Sequence, residues 1–384
     1  MHVRTKPSTL EKLMEIGDAT TFEPAGDQPE HERRERYQSH SLAECITNVA
    51  TPRGKMPVLK TMVTTACERN CYYCPFRAGR GKTKRVTFTP DELASALDQM
   101  SRAGHVEGMF LSSGIIKGGV TTQDKIIATA EIVRRRYRYR GYVHLKIMPG
   151  SEYDQLYRAM QLADRISVNM EAPTQARLEA LAPKKEFTRE LLNMLMLAAQ
   201  IRREHPHEKL AGAVTQFVVG AVGDTDLELL SLSSELYRQV GLKRVYYSGF
   251  NPVEQTPLEN ITPNDPLREH RLYQASFLLR DYAWEVEDLP FIGEGNLRLD
   301  LDPKRAWAET NLSEAPIDLM TAERGQLMRV PGIGPKTANA ILRARRQRRL
   351  TDIGQLGKLM RAPEQAAPYI LLDGHRPAQQ LRLF

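Results

Sequence analysis

The chain is poor in the features that settle a protein's class at a glance. Only 4 of its 384 residues are cysteine, and three of them crowd into eight positions, which argues against a disulfide framework. No run approaches the roughly 18 apolar residues of a membrane-spanning helix. The opening stretch MHVRTKPSTLEKLMEIGD has no apolar core of the kind a secretory leader carries, so a cytoplasmic protein without a membrane partner is expected. There is no long repeat and no low-complexity tract. Charge of one sign is scarce as well. Lys and Arg number 54 against 47 Asp and Glu, and the net +7 permits a polyanionic partner without demanding one. Hydrophobic residues at 41% and charged residues at 26% match globular usage and exclude a wholly disordered chain.

The length predicts two to three domains. Residues 1–55 are polar and weakly patterned, an N-terminal extension in which Glu30–Arg36 is a mixed charge run on a solvated face. From Val58 the texture changes. Short apolar runs at 58–65, 109–114, 143–149, 165–172, 212–220 and 244–250 alternate with helical patterns. The first helix is announced by Thr89-Pro90-Asp91-Glu92, an N-cap, a proline at N1 and a capping glutamate. Strands alternating with helices predict an α/β fold, a partial six-stranded parallel β/α barrel over 56–295. In such folds chemistry gathers at the C-terminal strand ends. A period of two places His144, Lys146 and Met148 on one strand face, Ser167, Asn169 and Glu171 on another, then Gln216, then Arg244, Tyr246 and Ser248. This polar alternation fits either a lined cavity or a sheet with one wet face. Beyond Leu289-Pro290 the alternation stops. A linker is expected over 296–312, a small all-α domain over 313–362 and a tail over 363–384.

Cys67, Cys71 and Cys74 stand at C-x3-C-x2-C directly after the first predicted strand. Three thiolates so spaced can cap three irons of a cubane and leave the fourth open. Zinc is the plainer alternative, but a structural zinc site takes four ligands and no fourth follows at finger spacing. Cys45, without partner spacing, reads as an ordinary buried cysteine before a hydrogen donor or back-up thiol. This pattern, C-x3-C-x-aromatic-C after the first strand of an alternating α/β unit, resembles the radical S-adenosylmethionine (radical SAM) superfamily over about 58–250. The resemblance implies a [4Fe-4S] cluster on Cys67, Cys71 and Cys74, with S-adenosylmethionine (SAM) chelating the open iron. It implies that Tyr73 touches the adenine and that Ser112-Ser113-Gly114 stands in for the family's Gly-Gly-Glu-like turn. It also implies that Asn169 and Glu171 meet the ribose or carboxylate and that Gly220 lies on the backbone lining the adenine. A one-electron donor such as flavodoxin or ferredoxin is implied as a partner.

A second signal is Val330-Pro331-Gly332-Ile333-Gly334-Pro335-Lys336-Thr337-Ala338. Glycines expose the turn's N–H groups, and a helix N-terminus beyond adds positive potential, so Gly332, Gly334, Lys336 and Thr337 form a nest for a phosphate. The string resembles the helix-hairpin-helix motif of DNA repair proteins. Five arginines between Arg343 and Arg349 suit a polyphosphate. Arg77, Arg80, Lys82, Lys84 and Arg85 form a basic patch at the expected active-site mouth, whereas Arg134–Arg140 reads as a helix C-terminus compensating its dipole. At the end of the chain, Gln380, Leu381, Leu383 and Phe384 resemble the peptide that replication and repair proteins insert into the sliding clamp.

Barrel first and hairpin second, the arrangement resembles radical SAM proteins assigned to DNA modification or repair. The expected activity is reductive cleavage of SAM to a 5′-deoxyadenosyl radical that acts on nucleic acid, DNA before RNA. Two other classes compete. An endonuclease III-type glycosylase or lyase also combines a hairpin with a cluster, but its four cysteines follow the hairpin at other spacing. An iron–sulfur redox sensor that binds DNA would not need a barrel.

Overall fold

The computed structural model describes residues 7–17, 42–51, 54–80 and 84–377. The chain divides into two compact units, Met1–Asp224 with Glu235–Glu269, and Thr225–Ser234 with His270–Phe384. The first holds a curled seven-stranded sheet whose spatial order follows the chain: β1 (Ile46–Thr51), β2 (Gly54–Met62), β3 (Gly108–Ser112), β4 (Tyr142–Lys146), β5 (Arg165–Ser167), β6 (Gly212–Val219) and β7 (Arg244–Gly249). From β2 onward every neighbouring pair is parallel. These are the six expected strands of an open half-barrel. The seventh is β1, which pairs antiparallel with β2.

Residues 1–55 are therefore not a simple extension. The edge strand β1 comes from them, and so does α1 (Thr9–Gly17). Leu13 and Ile16 of α1 are fully buried, and the buried Cys45 thiol donates to the Leu13 carbonyl at 3.0 Å. Helices α2 (Pro90–Arg102), α3 (Gly118–Glu131), α4 (Tyr153–Leu162), α5 (Gln175–Leu181) and α6 (Asn193–Glu204) connect successive strands. The capping box expected at α2 is present. Glu92 N–H donates to Thr89 Oγ1 at 3.2 Å, and Thr89 N–H donates to Glu92 Oε2 at 2.7 Å. Among the described residues no helix is long and apolar enough to cross a membrane.

The polar strand residues resolve the choice between cavity and wet face. His144, Ser167, Asn169, Glu171 and Gln216 are all under a tenth exposed, so they point into the protein. The expected strand 165–172 is interrupted after Ser167. There the Thr215 hydroxyl donates to the Val168 carbonyl at 2.7 Å and accepts from Met170 N–H at 3.1 Å. A side chain thus replaces the ladder for two buried backbone groups. Pairing resumes at Glu171, whose N–H meets the Gln216 carbonyl at 2.9 Å.

The second unit carries the β8 (Phe291–Ile292) and β9 (Asn296–Leu297) hairpin, the parallel pair β10 (Ile317–Asp318) and β11 (Ile370–Leu371), and most of its helices. Helices α7 (Asp226–Gln239) and α8 (Pro266–Asp281) straddle the division; α9 (Pro303–Asn311), α10 (Arg324–Leu327), α11 (Pro335–Gln347) and α12 (Ile353–Gly357) complete the set. The expected linker over 296–312 is corrected, because α9 lies in it and buries Ala306 and Ala308. The expected tail from 363 is corrected too. Ala366, Ile370 and Leu372 join Leu327, Ile333 and Ile341 in one apolar core, since a small domain must recruit most of its apolar residues to bury enough surface.

Thr215→Val keeps the shape and removes the hydroxyl. It should cost about 2–4 kcal/mol of unfolding free energy, because two buried backbone groups lose their partner. Thr215→Ser should retain most of that stability, as read from urea denaturation.

Candidate functional site

The loop after β2 is tied down at many points. Gly114 N–H donates to the Thr64 carbonyl at 2.7 Å, and Glu68 N–H to the Ile115 carbonyl at 2.8 Å. A Cβ on Gly114 would stand 2.3 Å from the Ala66 carbonyl oxygen, so the two loops approach only because that position is glycine. The Glu68 carboxylate accepts from Lys117 and Gly118 N–H, each at 3.1 Å, and caps α3 where Lys117 cannot. Arg85 donates to the carbonyls of Thr65 at 2.8 Å, Phe76 at 2.9 Å and Arg77 at 3.0 Å. One guanidinium thus closes both ends of the cysteine segment.

Cys67, Cys71 and Cys74 line a single cleft at the C-terminal strand ends, together with Tyr73, Ser113, Gly114, Asn169, Glu171 and Lys185. The cleft encloses about 850 Å³, open solvent at its mouth included. The N–H groups of Arg69 and Ile115 both point at Cys67 Sγ, each 3.4 Å away. Burial pushes the Cys71 thiol up, against the opposing Lys185 charge. Among the described residues no three Cys, His, Asp or Glu side chains converge as for one metal ion. Three thiolates that each cap a separate iron do not have to.

Glu171 and Lys185 form the electrostatic centre of the cleft. Lys185 Nζ lies 2.8 Å from Glu171 Oε1 and 3.3 Å from the Tyr73 hydroxyl. Burial alone would raise the Glu171 carboxyl, but Lys185 and Lys146 hold it below its ordinary value. Burial alone would lower Lys185, yet Glu171 and the nearby cysteines raise it. Both groups are therefore charged. Glu171 is also one of the few non-glycine residues in the left-handed region, with φ 63°, a strain that marks functional sites.

The family model of the radical SAM superfamily matches residues 61–232. Residues 61–232 are a radical SAM domain. The helix-hairpin-helix motif model matches residues 317–344. No curated protein sequence matches the chain. Among solved structures, the [FeFe]-hydrogenase maturase HydG from Carboxydothermus hydrogenoformans is 15% identical with a TM-score of 0.47, over 58% of this chain and 51% of that one. Methylornithine synthase (PylB) is 16% identical with a TM-score of 0.46, over 71% of this chain and 68% of that one. The chain thus spans about half the length of the maturase.

A radical SAM domain implies a [4Fe-4S] cluster and SAM. The residues present fit both, with three thiols on one cleft and polar groups on its walls. Of the residues expected to touch SAM, Tyr73, Ser113, Gly114, Asn169 and Glu171 line the cleft, whereas Ser112 and Gly220 are not among its lining residues. Ser112 ends β3 fully buried, and its carbonyl accepts from Val63 N–H. Gly220 N–H is engaged by both carboxylate oxygens of Asp224 at 3.1 Å. Both take part in hydrogen bonds of the scaffold. Sequence reasoning missed Lys185, which lies 14 residues beyond Glu171 in a loop with no motif around it.

The hairpin has the expected form. Ile333 is fully buried and pins the turn, and Gly332 sits at φ +77°. Gly334 caps α11 without a side-chain hydrogen bond. The N–H groups of Gly332, Gly334, Lys336 and Thr337 have no acceptor among the described residues. Lys336 is exposed beside them, a cation at the helix end where cations are unfavourable. The other basic segments are mostly internal fasteners. In the patch at 77–85, Arg85 grips the cysteine loop, Arg80 donates to the Pro75 carbonyl, Lys84 pairs with Glu15 at 2.6 Å and Arg77 lies over Tyr72; Lys82 is outside the described residues. Arg134 binds the carbonyls of Leu162, Tyr139 and Gly141. Gln380, Leu381, Leu383 and Phe384 also lie outside the described residues.

Lys185→Met should destabilise the protein by about 3–5 kcal/mol, because it strands a buried carboxylate. Adding Glu171→Gln should recover a large part of that loss in a double-mutant cycle by denaturant unfolding.

Proposed function

We propose that this protein is a radical SAM enzyme that modifies or repairs nucleic acid, with DNA as the substrate. The supporting observation is the coexistence in one chain of two built sites, a three-cysteine cleft in a radical SAM domain and a hairpin whose turn amides, beside the exposed Lys336, have no acceptor among the described residues. Neither a zinc module nor a redox sensor accounts for the cleft, and an endonuclease III-type enzyme would carry its cysteines after the hairpin.

Cys67, Cys71 and Cys74 would hold the cluster, and Tyr73, Ser113, Gly114, Asn169 and Glu171 would contact SAM. When bound, cluster and SAM supply a 5′-deoxyadenosyl radical for hydrogen abstraction, at the cost of one electron from a donor such as flavodoxin or ferredoxin. The chain's own residues do the rest. Arg85 and Glu68 keep the cysteine loop in register with the second βα loop. Lys185 holds Glu171 charged and Tyr73 in place. The hairpin binds backbone phosphate through Gly332, Gly334, Lys336 and Thr337, which fixes position without reading sequence. A target base must then be extruded or single-stranded to enter a cleft.

The test is anaerobic incubation of the reconstituted protein with SAM, a reductant and either DNA or RNA, followed by mass spectrometry of the digested nucleosides. A new nucleoside from DNA alone is expected. Cys71→Ala should abolish 5′-deoxyadenosine formation, and retained cleavage would remove the radical SAM assignment. Lys336→Ala should weaken DNA binding similarly across sequences and lower the salt slope by about one, with SAM cleavage intact. Unchanged DNA affinity in that variant would make the hairpin a packing element only.

A further inference from the structure

Behind the hairpin turn stands a cation that the helix-hairpin-helix match does not include. Lys304, in the first turn of α9, donates from Nζ to the Ile333 carbonyl at 2.6 Å. The same ammonium lies 4.9 Å from the centroid of the Tyr282 ring. Tyr282 in turn backs the turn itself, since its hydroxyl would stand 3.0 Å from a Cβ on Gly334. Lys304 makes no ion pair among the described residues. Asp302, its acidic neighbour, spends Oδ1 on the Arg305 N–H at 3.0 Å. An ammonium held by one carbonyl and one aromatic face is poorly compensated for its loss of water.

The contact falls on a particular peptide. The carbonyl of Ile333 and the N–H of Gly334 belong to one planar unit, and in a trans peptide they point in opposite directions. A cation on the oxygen draws electron density from the nitrogen and makes the N–H a stronger donor, the polarisation that links hydrogen bonds in chains. We propose that Lys304 is a positioning residue of the phosphate cradle: it fixes the Ile333–Gly334 peptide with its carbonyl inward and strengthens Gly334 N–H as a donor to nucleic-acid phosphate. This inference rests on the reading of the hairpin as a phosphate site.

The cradle then has a pH signature. Burial lowers Lys304 to about 7, with Asp302 opposing the shift. Asp302 is the N-cap of its own helix, and Tyr282, raised by burial and by Asp281, presents its ring to the ammonium. The turn Val330–Pro335 carries no titratable side chain. A phosphate arriving at the cradle favours the charged ammonium, so binding takes up a proton. Affinity is then highest below the free-state value near 7 and falls as pH rises through it, by up to about tenfold between about pH 6 and pH 8. The sign for folding is opposite. Unfolded lysine titrates near its ordinary value of about 10.4, so at neutral pH the unfolded chain binds more protons at this site, and the ammonium weakens the free protein.

The experiment is fluorescence anisotropy of a labelled mixed-sequence DNA duplex with the full-length protein across that pH range. Calorimetry of the wild type in two buffers of different ionisation enthalpy accompanies it and counts protons without any variant. Proton uptake near pH 7 is expected in the wild type. Lys304→Met should bind several-fold more weakly at pH 6, show a flattened pH profile and melt at a higher temperature. Lys304→Arg should keep its affinity up to pH 8. A purely structural lysine predicts the reverse for stability, namely loss of folding with an unchanged pH profile. Duplex binding without proton uptake by the wild type, or a Lys304→Met protein with the wild-type profile, overturns this inference alone. A wild type that binds no duplex overturns the cradle reading and this inference with it.

Discussion

The cleft is organised around one ion pair that ought to be expensive. Glu171 is a buried carboxylate on a left-handed backbone, and each of those properties is disfavoured on its own. It persists because Lys185 sits 2.8 Å away and because the backbone on either side is held. Glu171 N–H and C=O bond to Gln216 and Val218, while the Thr215 hydroxyl serves the residues just before it. Lys185 also reaches Tyr73, between the second and third cysteines. A single electrostatic contact therefore couples the irregular end of the fifth strand to the loop that carries the thiols. The polar wall of the cleft and the cysteine loop are placed by the same charge.

The parts of this arrangement that were legible in the sequence are those encoded locally. The cysteine spacing, the Thr89 capping box and the Pro-Gly-Ile-Gly turn each lie within a dozen residues, where backbone geometry alone restricts what the segment can be. The six parallel strands were legible because burial on both faces leaves continuous apolar runs. The edge strand β1 was not, since Ile46–Thr51 is short and polar enough to pass for a loop until β2 offers it a ladder. The tail and linker were misread because a small helical core collects single residues such as Ala366, Ile370 and Ala308, which leave no periodic trace. Arg85 and Lys185 act across folds of the chain, and a lone cation in a loop carries no sign of which carbonyls or carboxylate it will meet.

Basic residues separate into two populations that composition cannot distinguish. Arg85, Arg134 and Arg345 spend their guanidinium groups on backbone carbonyls, and Arg349 pairs with Asp373. They act as fasteners, and the net charge of +7 says nothing about a surface for polyanions. The cations on the outer face of α11 differ. Lys336, Arg343 and Arg346 are exposed, and a position seven residues beyond the first falls on nearly the same side of a helix, with one ten residues beyond about a quarter-turn round. The segment Pro335–Arg349 contains no acid at all, although a solvated helix face ordinarily gains from opposite charges one turn apart. The helix dipole accounts for arginines at the C-terminal end but opposes Lys336 at the other. Lys336 thus stands against the local field, beside four N–H groups without an acceptor among the described residues. On the proposed reading, Lys336 and the poorly compensated ammonium of Lys304 behind the same turn both serve a bound phosphate, not only the packing of two helices.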